Sequence, residues 1–143
     1  MFSRAIQWAS DWDASHVAIE MEGMVFHSNI LGPRCDLLQD FEKKAEIVRE
    51  IRLETNYYDA VRLMHFYLKR NHRTYDFLLF LTLGIILILG KLNGSPNIDR
   101  KIIFRTSGAY LCTEFVGEFL YGNENQFTLP EEIWEKHLVR KAQ

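Results

Sequence analysis

A run of thirteen residues without a charged side chain, Phe77–Leu89 (FLLFLTLGIILIL), constrains the fold more than any other feature of the sequence. Asp76 precedes the run and Lys91 follows it closely, so the stretch falls short of the roughly 20 apolar residues that a membrane-spanning helix needs. The run therefore predicts a helix that ends near Gly90 and is buried in the protein. A helix that dips into a membrane is the less favoured alternative.

Length, composition and charge limit the remaining choices. The chain has 143 residues, of which 48% are hydrophobic and 25% are charged. These values are typical of one soluble globular domain, and we assign residues 1–143 to it. The formal net charge is -2 and the pI is about 6.2. The chain thus has neither the basic surface that binds nucleic acid nor a polybasic patch for anionic lipid, so nucleic acid is not an expected partner.

Cysteine content indicates a reducing compartment. The two cysteines, Cys35 and Cys112, are too few for the disulfide framework of a small secreted domain. The first ten residues, MFSRAIQWAS, lack the apolar segment of a signal peptide. We therefore expect a cytoplasmic protein in which Cys112 is a free thiol.

Segments on both sides of the apolar run predict a mixed order of helices and strands, which is the pattern of an α+β fold. Before the run, the sequence first predicts a short helix through about Trp8 and a hairpin with its turn near Gly23. A loop and a short helix capped by Asp36 follow, and residues 46–54 are either a half-exposed strand or a continuation of that helix. The next predicted helix is capped by Asn56 or Thr55, and its apolar stripe comprises Ala60, Val61, Met64 and Leu68. After the run, the predicted elements are a short strand over 101–105, a helix that ends at Gly122, and a helix with Pro130 at its first position.

The hairpin, within DASHVAIEMEGMVFHSN (13–29), contains two histidines. With Glu22-Gly23 as a two-residue turn, residues whose numbers sum to about 45 face each other. His16 and His27 then lie diagonally on one polar face, about 5–8 Å apart, while the other face is apolar and suits the core. A solvated face that happens to contain two histidines is the alternative interpretation, and a slip of one residue would separate them.

Cys112 lies in the first turn of its predicted helix. Free N–H groups and the helix dipole favour an anion there, so the thiol is expected to be biased toward thiolate, and the same N–H groups suit an oxyanion. A small buried hydrophobe is the alternative. A metal site formed by Cys112, His16 and His27 has no close ligand pair such as CxxC or HxxxH in its support. No metal or cofactor is therefore expected.

Three motifs together resemble a known family. ASHVAIEMEGMVFHS, then TYDF, then YLCTEFVGEFLYG are similar in order and spacing to the circularly permuted NlpC-like (YiiX-like) branch of the papain-like cysteine hydrolases, which is related to the lecithin retinol acyltransferase proteins. In this branch the histidine strand precedes the cysteine helix. The resemblance covers about residues 14–134. It implies a permuted papain-like fold, in which a small antiparallel sheet packs against helices and the cysteine helix docks on the sheet.

The resemblance also implies roles for individual residues. Cys112 matches the nucleophile and His16 matches the base. His27 matches the third polar residue, which orients the base. Tyr75, in the Tyr-Asp pair of the second motif, is a weak candidate for an oxyanion contact, and Asn29 is a reserve orienting residue in case the hairpin turn is longer than two residues.

The activity implied is that of a cysteine peptidase or amidase that forms a thioester acyl-enzyme. Peptide, cell-wall and acyl-containing substrates are all compatible with this chemistry. A thiol acyltransferase or lipid hydrolase on the same site is a second interpretation, motivated by Phe77–Leu89, and a binding module without catalytic activity is a third. Membrane contact through Phe77–Leu89 is not favoured, and the sequence leaves the oligomeric state open.

Overall fold

The computed structural model describes residues 4, 7–8, 12–94, 109–122 and 129–141, with side chains up to residue 136 in the last range. In chain order the elements are β1 (Ile19–Met21), β2 (Met24–Asn29), β3 (Gly32–Leu37), α1 (Leu38–Glu42), α2 (Tyr57–Leu68), β4 (Thr74–Tyr75), α3 (Phe77–Leu92), β5 (Ala109–Tyr110), α4 (Cys112–Tyr121) and α5 (Pro130–Lys141). This mixture confirms the predicted α+β class. The strand predicted over 101–105 lies outside the described residues, as does most of the helix predicted through about Trp8.

The first hairpin has the predicted register. β1 and β2 are antiparallel, with Ile19 opposite Phe26 and two further pairs in step. The two turn residues, Glu22 and Gly23, have φ values of 54° and 75°. Positive φ at both positions is what a tight type I′ turn requires, and this turn matches the twist of the strands that it joins. The register places Phe26 on the core face.

A third strand occupies the part of the segment predicted as a loop, and the predicted short helix follows it as α1. β3 pairs antiparallel with β2, so β2 is the central strand of a three-stranded sheet. The prediction of Asp36 as a helix cap is therefore wrong, because Asp36 lies within β3 and Leu37 precedes α1 without a side-chain cap. Cys35 also lies in this strand, where it packs against the core.

The turn between β2 and β3 packs tightly against the segment that precedes β4. Gly32 has a φ of 97°, and a Cβ atom built on it would overlap the carbonyl oxygen of Arg73. Only glycine accommodates both this backbone conformation and this approach. The contact holds the second hairpin against the chain that leads into β4 and α3.

We expect Gly32→Ala to destabilise the protein by about 3 kcal/mol or more, because the new methyl group would force the two backbone segments apart. Gly23→Ala is the matched control, since Gly23 also has a positive φ but has nothing within 4 Å of the Cβ position. Its expected cost is the conformational strain alone, about 1–2 kcal/mol. Urea unfolding of both variants measures the difference, and equal costs would contradict the packing argument.

Helix α2 starts as predicted but presents a different face to the core. The Asn56 side chain accepts hydrogen bonds from backbone N–H groups of the first turn, which confirms it as the N-cap. Leu63 is fully buried and Phe66 packs beside it, whereas Val61 and Leu68 of the predicted stripe are exposed. The stripe was therefore predicted only in part, because Met64 packs against the core, whereas the sheet and α4 contact the neighbouring face of the helix.

Residues 43–56 form neither a strand nor a helix. Both predictions for 46–54 are wrong, because none of the described strands pairs with the alternating pattern there. The segment is instead anchored by Arg49. Its guanidinium group makes hydrogen bonds of 2.9–3.1 Å to both carboxylate oxygens of Asp13. It also lies over the rings of Trp12 and Trp134.

The core is centred on β2 and the amino-terminal half of α4, which packs on that strand. Helix α4 ends at Gly122, which has a φ of 72°, and α5 begins at Pro130, both as predicted. The residues of the main buried cluster are Phe26, Leu63, Tyr110, Phe115, Val116 and Ile133. The first turn of α4, including Cys112, is consequently surrounded by protein.

Helix α3 is only partly buried, which corrects the prediction of a buried helix, and it ends at Leu92 rather than near Gly90. One stripe, formed by Leu79, Leu83 and Leu87, faces the protein. The exposed positions define the outer face of α3, which comprises Phe77, Leu78, Leu81, Ile85, Ile88, Leu89 and Leu92. Among the described helices, none combines the length and the apolar character needed to cross a membrane.

Candidate active site

The two histidines of the first hairpin meet. Nε2 of His16 lies 3.0 Å from Nδ1 of His27, and the two rings are in an edge-to-face arrangement. The alternative of a solvated polar face is wrong, because His27 is only 4% exposed and His16 is half-buried. The Phe41 ring of α1 covers them, with its centroid 5.1 Å from that of His27.

Asp36 completes this chain of side chains and was missed by the sequence analysis. Nε2 of His27 lies 3.3 Å from Oδ2 of Asp36, which is on the adjacent strand. The sequence did contain a signal, because Asn29 and Gly32 are residues typical of a turn. A second hairpin around them would have placed Asp36 diagonally across from His27 on the same face.

The order of contacts determines which ring nitrogens carry protons. A carboxylate only accepts hydrogen bonds, so Asp36 requires the proton of His27 to be on Nε2. Nδ1 of neutral His27 is then an acceptor, and His16 donates to it through Nε2. The lone pair of neutral His16 is therefore on Nδ1. This is the arrangement that a general base needs.

Burial keeps both imidazoles neutral. Desolvation, with a smaller effect from His27, lowers the pKa of His16 to about 4. Desolvation also lowers the pKa of His27, although the hydrogen bond and negative charge of Asp36 act in the opposite direction. Both rings are thus uncharged at neutral pH, and Nδ1 of His16 retains a lone pair that can accept a proton.

We expect Asp36→Ala to lower the pKa of His27 further, because the substitution removes the two influences that raise it. The control is Asp40→Ala, since Asp40 is a nearby exposed carboxylate that pairs with Lys43. NMR titration of the imidazole C–H signals measures the shift in each variant. A His27 titration unchanged by Asp36→Ala would contradict the assigned contact.

Cys112 is the first residue of α4 and immediately follows the N-cap, Leu111. The residue is 8% exposed. The backbone N–H groups of Val17, Thr113 and Cys112 itself are near enough to its sulfur to favour the thiolate. Val17 directly follows His16, so the structure brings the thiol to the chain segment that carries the first histidine.

The expected bias of Cys112 toward thiolate is not observed. The backbone N–H groups at the sulfur lower the thiol pKa, as predicted for a helix N-terminus, but burial outweighs them and raises the pKa of Cys112 to about 11. The thiol is therefore protonated at neutral pH. The Cys112 thiol and the His16 imidazole are thus both uncharged at neutral pH.

Tyr75 lies close to Cys112 because of the second, two-stranded sheet. β4 and β5 are parallel, with Tyr75 opposite Tyr110, and α4 starts two residues after Tyr110. Burial raises the pKa of Tyr75, and the negative charge that Cys112 carries when ionised raises it further. The phenol therefore keeps its proton and can donate a hydrogen bond.

Asn29 and Glu114, two further polar residues near the site, accept hydrogen bonds from backbone N–H groups. Oδ1 of Asn29 accepts a 2.9 Å hydrogen bond from the backbone N–H of Leu31, which is a turn contact rather than a contact to a histidine. Oε2 of Glu114 accepts a 2.9 Å hydrogen bond from the N–H of Leu111 and so caps α4.

An open groove passes over the histidines. His16, His27 and Tyr75 line it together with the irregular segment 43–56. Cys112 does not line the groove, whereas Val17, which contacts its sulfur, does.

Within the described ranges, no group of three or more His, Cys, Asp or Glu side chains is arranged to hold a metal ion. No protein-family model matches the chain, and comparison with curated proteins and with solved structures finds no significant match. The chemistry of the site must therefore be argued from its own geometry.

Proposed function

We propose that the protein is a cysteine hydrolase, a peptidase or amidase, and that its fold is a permuted papain-like fold. Cys112 is the nucleophile, His16 is the base, and His27 orients His16. Asp36 extends this chain by one carboxylate. The permuted order is supported by the strand pair with both histidines, which precedes the helix that begins at Cys112 and packs on β2.

One observation carries the proposal. The backbone N–H of Val17, the residue that follows His16, interacts with the sulfur at the start of α4, and the His16 ring is hydrogen-bonded to a second imidazole. A nucleophile, a base and a group that orients the base are the components of nucleophilic catalysis at an acyl carbon. Here they come from two elements that are distant in sequence, His16 before β1 and Cys112 at the start of α4.

The proposed reaction begins with the Cys112 thiol and the His16 imidazole both uncharged. As the sulfur of Cys112 attacks the carbonyl carbon, its proton passes to Nδ1 of His16, and the C–S bond forms. His27 and Asp36 stabilise the resulting imidazolium ion through their hydrogen bonds. The backbone N–H at the start of α4 and the Tyr75 hydroxyl donate to the oxyanion. His16 then protonates the leaving group, and water hydrolyses the thioester.

Free cysteines support a reducing compartment, such as the cytoplasm, as the place of action. Cys35 and Cys112 are both unpaired thiols. A nucleophilic thiol requires such conditions, because oxidation would inactivate it.

Trapping the acyl-enzyme tests the proposal. We expect p-nitrophenyl acetate, an activated ester, to acetylate the protein once, and peptide mapping by mass spectrometry to locate the acetyl group on Cys112. A set of peptide p-nitroanilides then tests for amidase activity. Release of the acyl group to an added amine rather than to water would identify an acyltransferase. Acetylation of Cys35 alone, or of neither cysteine, would refute the assignment.

A further inference from the structure

The outer face of α3 is unusual for a helix in contact with water. A surface helix normally presents charged or polar side chains to solvent. Every position of α3 that is exposed is instead Phe, Leu or Ile. At 3.6 residues per turn these seven positions lie within an arc of roughly 120°, opposite the buried stripe. They form one continuous apolar surface, which is the kind of surface that marks an interaction site.

We propose that the outer face of α3 docks on the surface of a phospholipid bilayer, with the helix axis parallel to the membrane. The helix is ~24 Å long, which is less than the roughly 30 Å of a bilayer core, so this geometry requires insertion of one face only. An apolar face of Phe, Leu and Ile gains free energy in hydrocarbon without needing any specific hydrogen-bonding partner.

The carboxyl-terminal end of α3 has the residue types found where membrane meets water. The Lys91 ammonium group lies 4.9 Å from the centre of the Trp8 ring, and Trp8 is 52% exposed. Tryptophan and lysine are both suited to the headgroup region, because each combines an apolar body with a polar end.

Charge around the helix is compatible with a lipid surface. Asp76 is the one carboxylate in the sequence between Lys69 and Gly94. It is buried and caps α3, so it is not presented to a membrane. The same segment contains Lys69, Arg70, Arg73 and Lys91. Arg70 is paired with Glu118, so residues 69–94 offer Lys69, Arg73 and Lys91 as cations to headgroup phosphates and include no exposed carboxylate.

Two further exposed aliphatic residues lie near the start of the helix. Ile30 and Leu31, at the tip of the second hairpin, are 77% and 70% exposed. Gly32, the next residue, packs on the backbone of Arg73, so this tip lies beside the chain that leads into α3. Phe77 belongs to the outer face and also lines the groove over the histidines. The apolar surface is thus continuous with the candidate active site.

A second copy of the chain suits this surface less well. Positions 78, 81, 85, 88 and 92 have the spacing of a coiled-coil seam, but Phe77 and Leu89 widen the stripe beyond such a seam. Flanking positions also lack the paired charges that set the register of coiled coils. If the outer face of α3 paired with the same helix of a second copy, Ile30 and Leu31 would, in addition, remain exposed to water.

Flotation with phosphatidylcholine vesicles tests the proposal on the full chain. We expect the wild-type protein to float with the vesicles, and Leu81→Lys/Ile85→Lys to reduce the bound fraction at least about tenfold, because each lysine would have to enter the apolar layer. The control is Val61→Lys/Leu68→Lys, which changes two exposed apolar residues of α2 and should bind as wild type. Cys112→Ala should also bind as wild type, which separates docking from the proposed function.

Fluorescence gives a measurement that does not depend on folding of the lysine variant. Brominated phosphatidylcholine should quench wild-type tryptophan emission, and this quenching should be largely lost in Trp8→Phe. A wild-type protein that does not float would overturn the proposal, whether it is a monomer or a dimer. A dimer that Leu81→Lys/Ile85→Lys converts to monomers would assign the outer face of α3 to a second copy instead.

Discussion

Cys112→Ala is expected to lower kcat/KM for p-nitrophenyl acetate by at least about 10³-fold, because loss of a nucleophile removes the covalent pathway itself. The substitution keeps the Cβ atom at the start of α4 and removes one sulfur from a buried position. The helix should therefore form as before, since Glu114 still caps it. Initial rates of p-nitrophenolate release measure the effect, and circular dichroism verifies the fold.

Cys35→Ala is the matched control for this experiment. Cys35 is the second free thiol, and it packs against the core from β3. The variant loses a partly buried sulfur atom but should retain activity within about twofold, since Cys35 has no part in the proposed reaction. Comparable losses in both variants would indicate a general effect of cavity formation and would count against a nucleophilic Cys112.

His16→Ala is expected to lower kcat/KM by about 10²–10⁴-fold, the usual contribution of a general base. His27 is not positioned to replace it, because the Nδ1 atom of His27 is occupied by His16. His65→Ala serves as the control, since His65 is exposed on α2. Activity of His16→Ala within about threefold of wild type would remove His16 from the mechanism.

The pH dependence of the wild-type protein tests the same residue independently. Because burial lowers the pKa of His16 from 6.5 to about 4, the ring stays neutral until the solution is markedly acidic. The acidic limb of kcat/KM should therefore have its midpoint near pH 4. A limb near pH 6.5 would show that the base is an ordinary solvated histidine and would contradict the buried arrangement.

Stability should follow from the same pKa. A histidine whose pKa is lower in the folded state stabilises the fold fully above the unfolded pKa of 6.5, and this contribution is lost as the pH falls through about 4. The free energy of unfolding should decrease over this range, by an amount on the order of 3 kcal/mol from His16. His16→Ala should show a smaller decrease in the same urea titrations.

The features that were predictable from the sequence depend on residues close together in the chain. The turn at Glu22-Gly23 set the register of the first hairpin and thereby brought His16 and His27 together. Asn56 capped α2 and Gly122 ended α4 for equally local reasons, a side-chain acceptor and a positive φ. These signals act within three or four residues, so one sequence contains them in full.

Features that depend on distant partners were not predictable in the same way. Residues 46–54 alternate like a strand but have no strand beside them, while β3, with Pro33 and Arg34, forms because β2 offers a free edge. Asp36 reached His27 only through that pairing. A single sequence without a known partner strand does not distinguish these two outcomes.

Burial was the least predictable property, and it changed the chemistry. The position of Cys112 at a helix start was correct, yet its pKa is raised because the core surrounds it. Helix α3 shows the opposite case, since an apolar run that suggested full burial has one side covered and one side exposed. In both cases the result depends on which other elements pack there.

The thiol and the first histidine are made at very different times during translation. Cys112 follows His16 by 96 positions, and the strand that leads into α4, β5, pairs with β4 only after α3 has been synthesised. A nascent polypeptide that ends before β5 contains both imidazoles and Tyr75 but not the sulfur of Cys112. The site is therefore complete only after synthesis has entered the last quarter of the chain, and shorter products lack the proposed nucleophile.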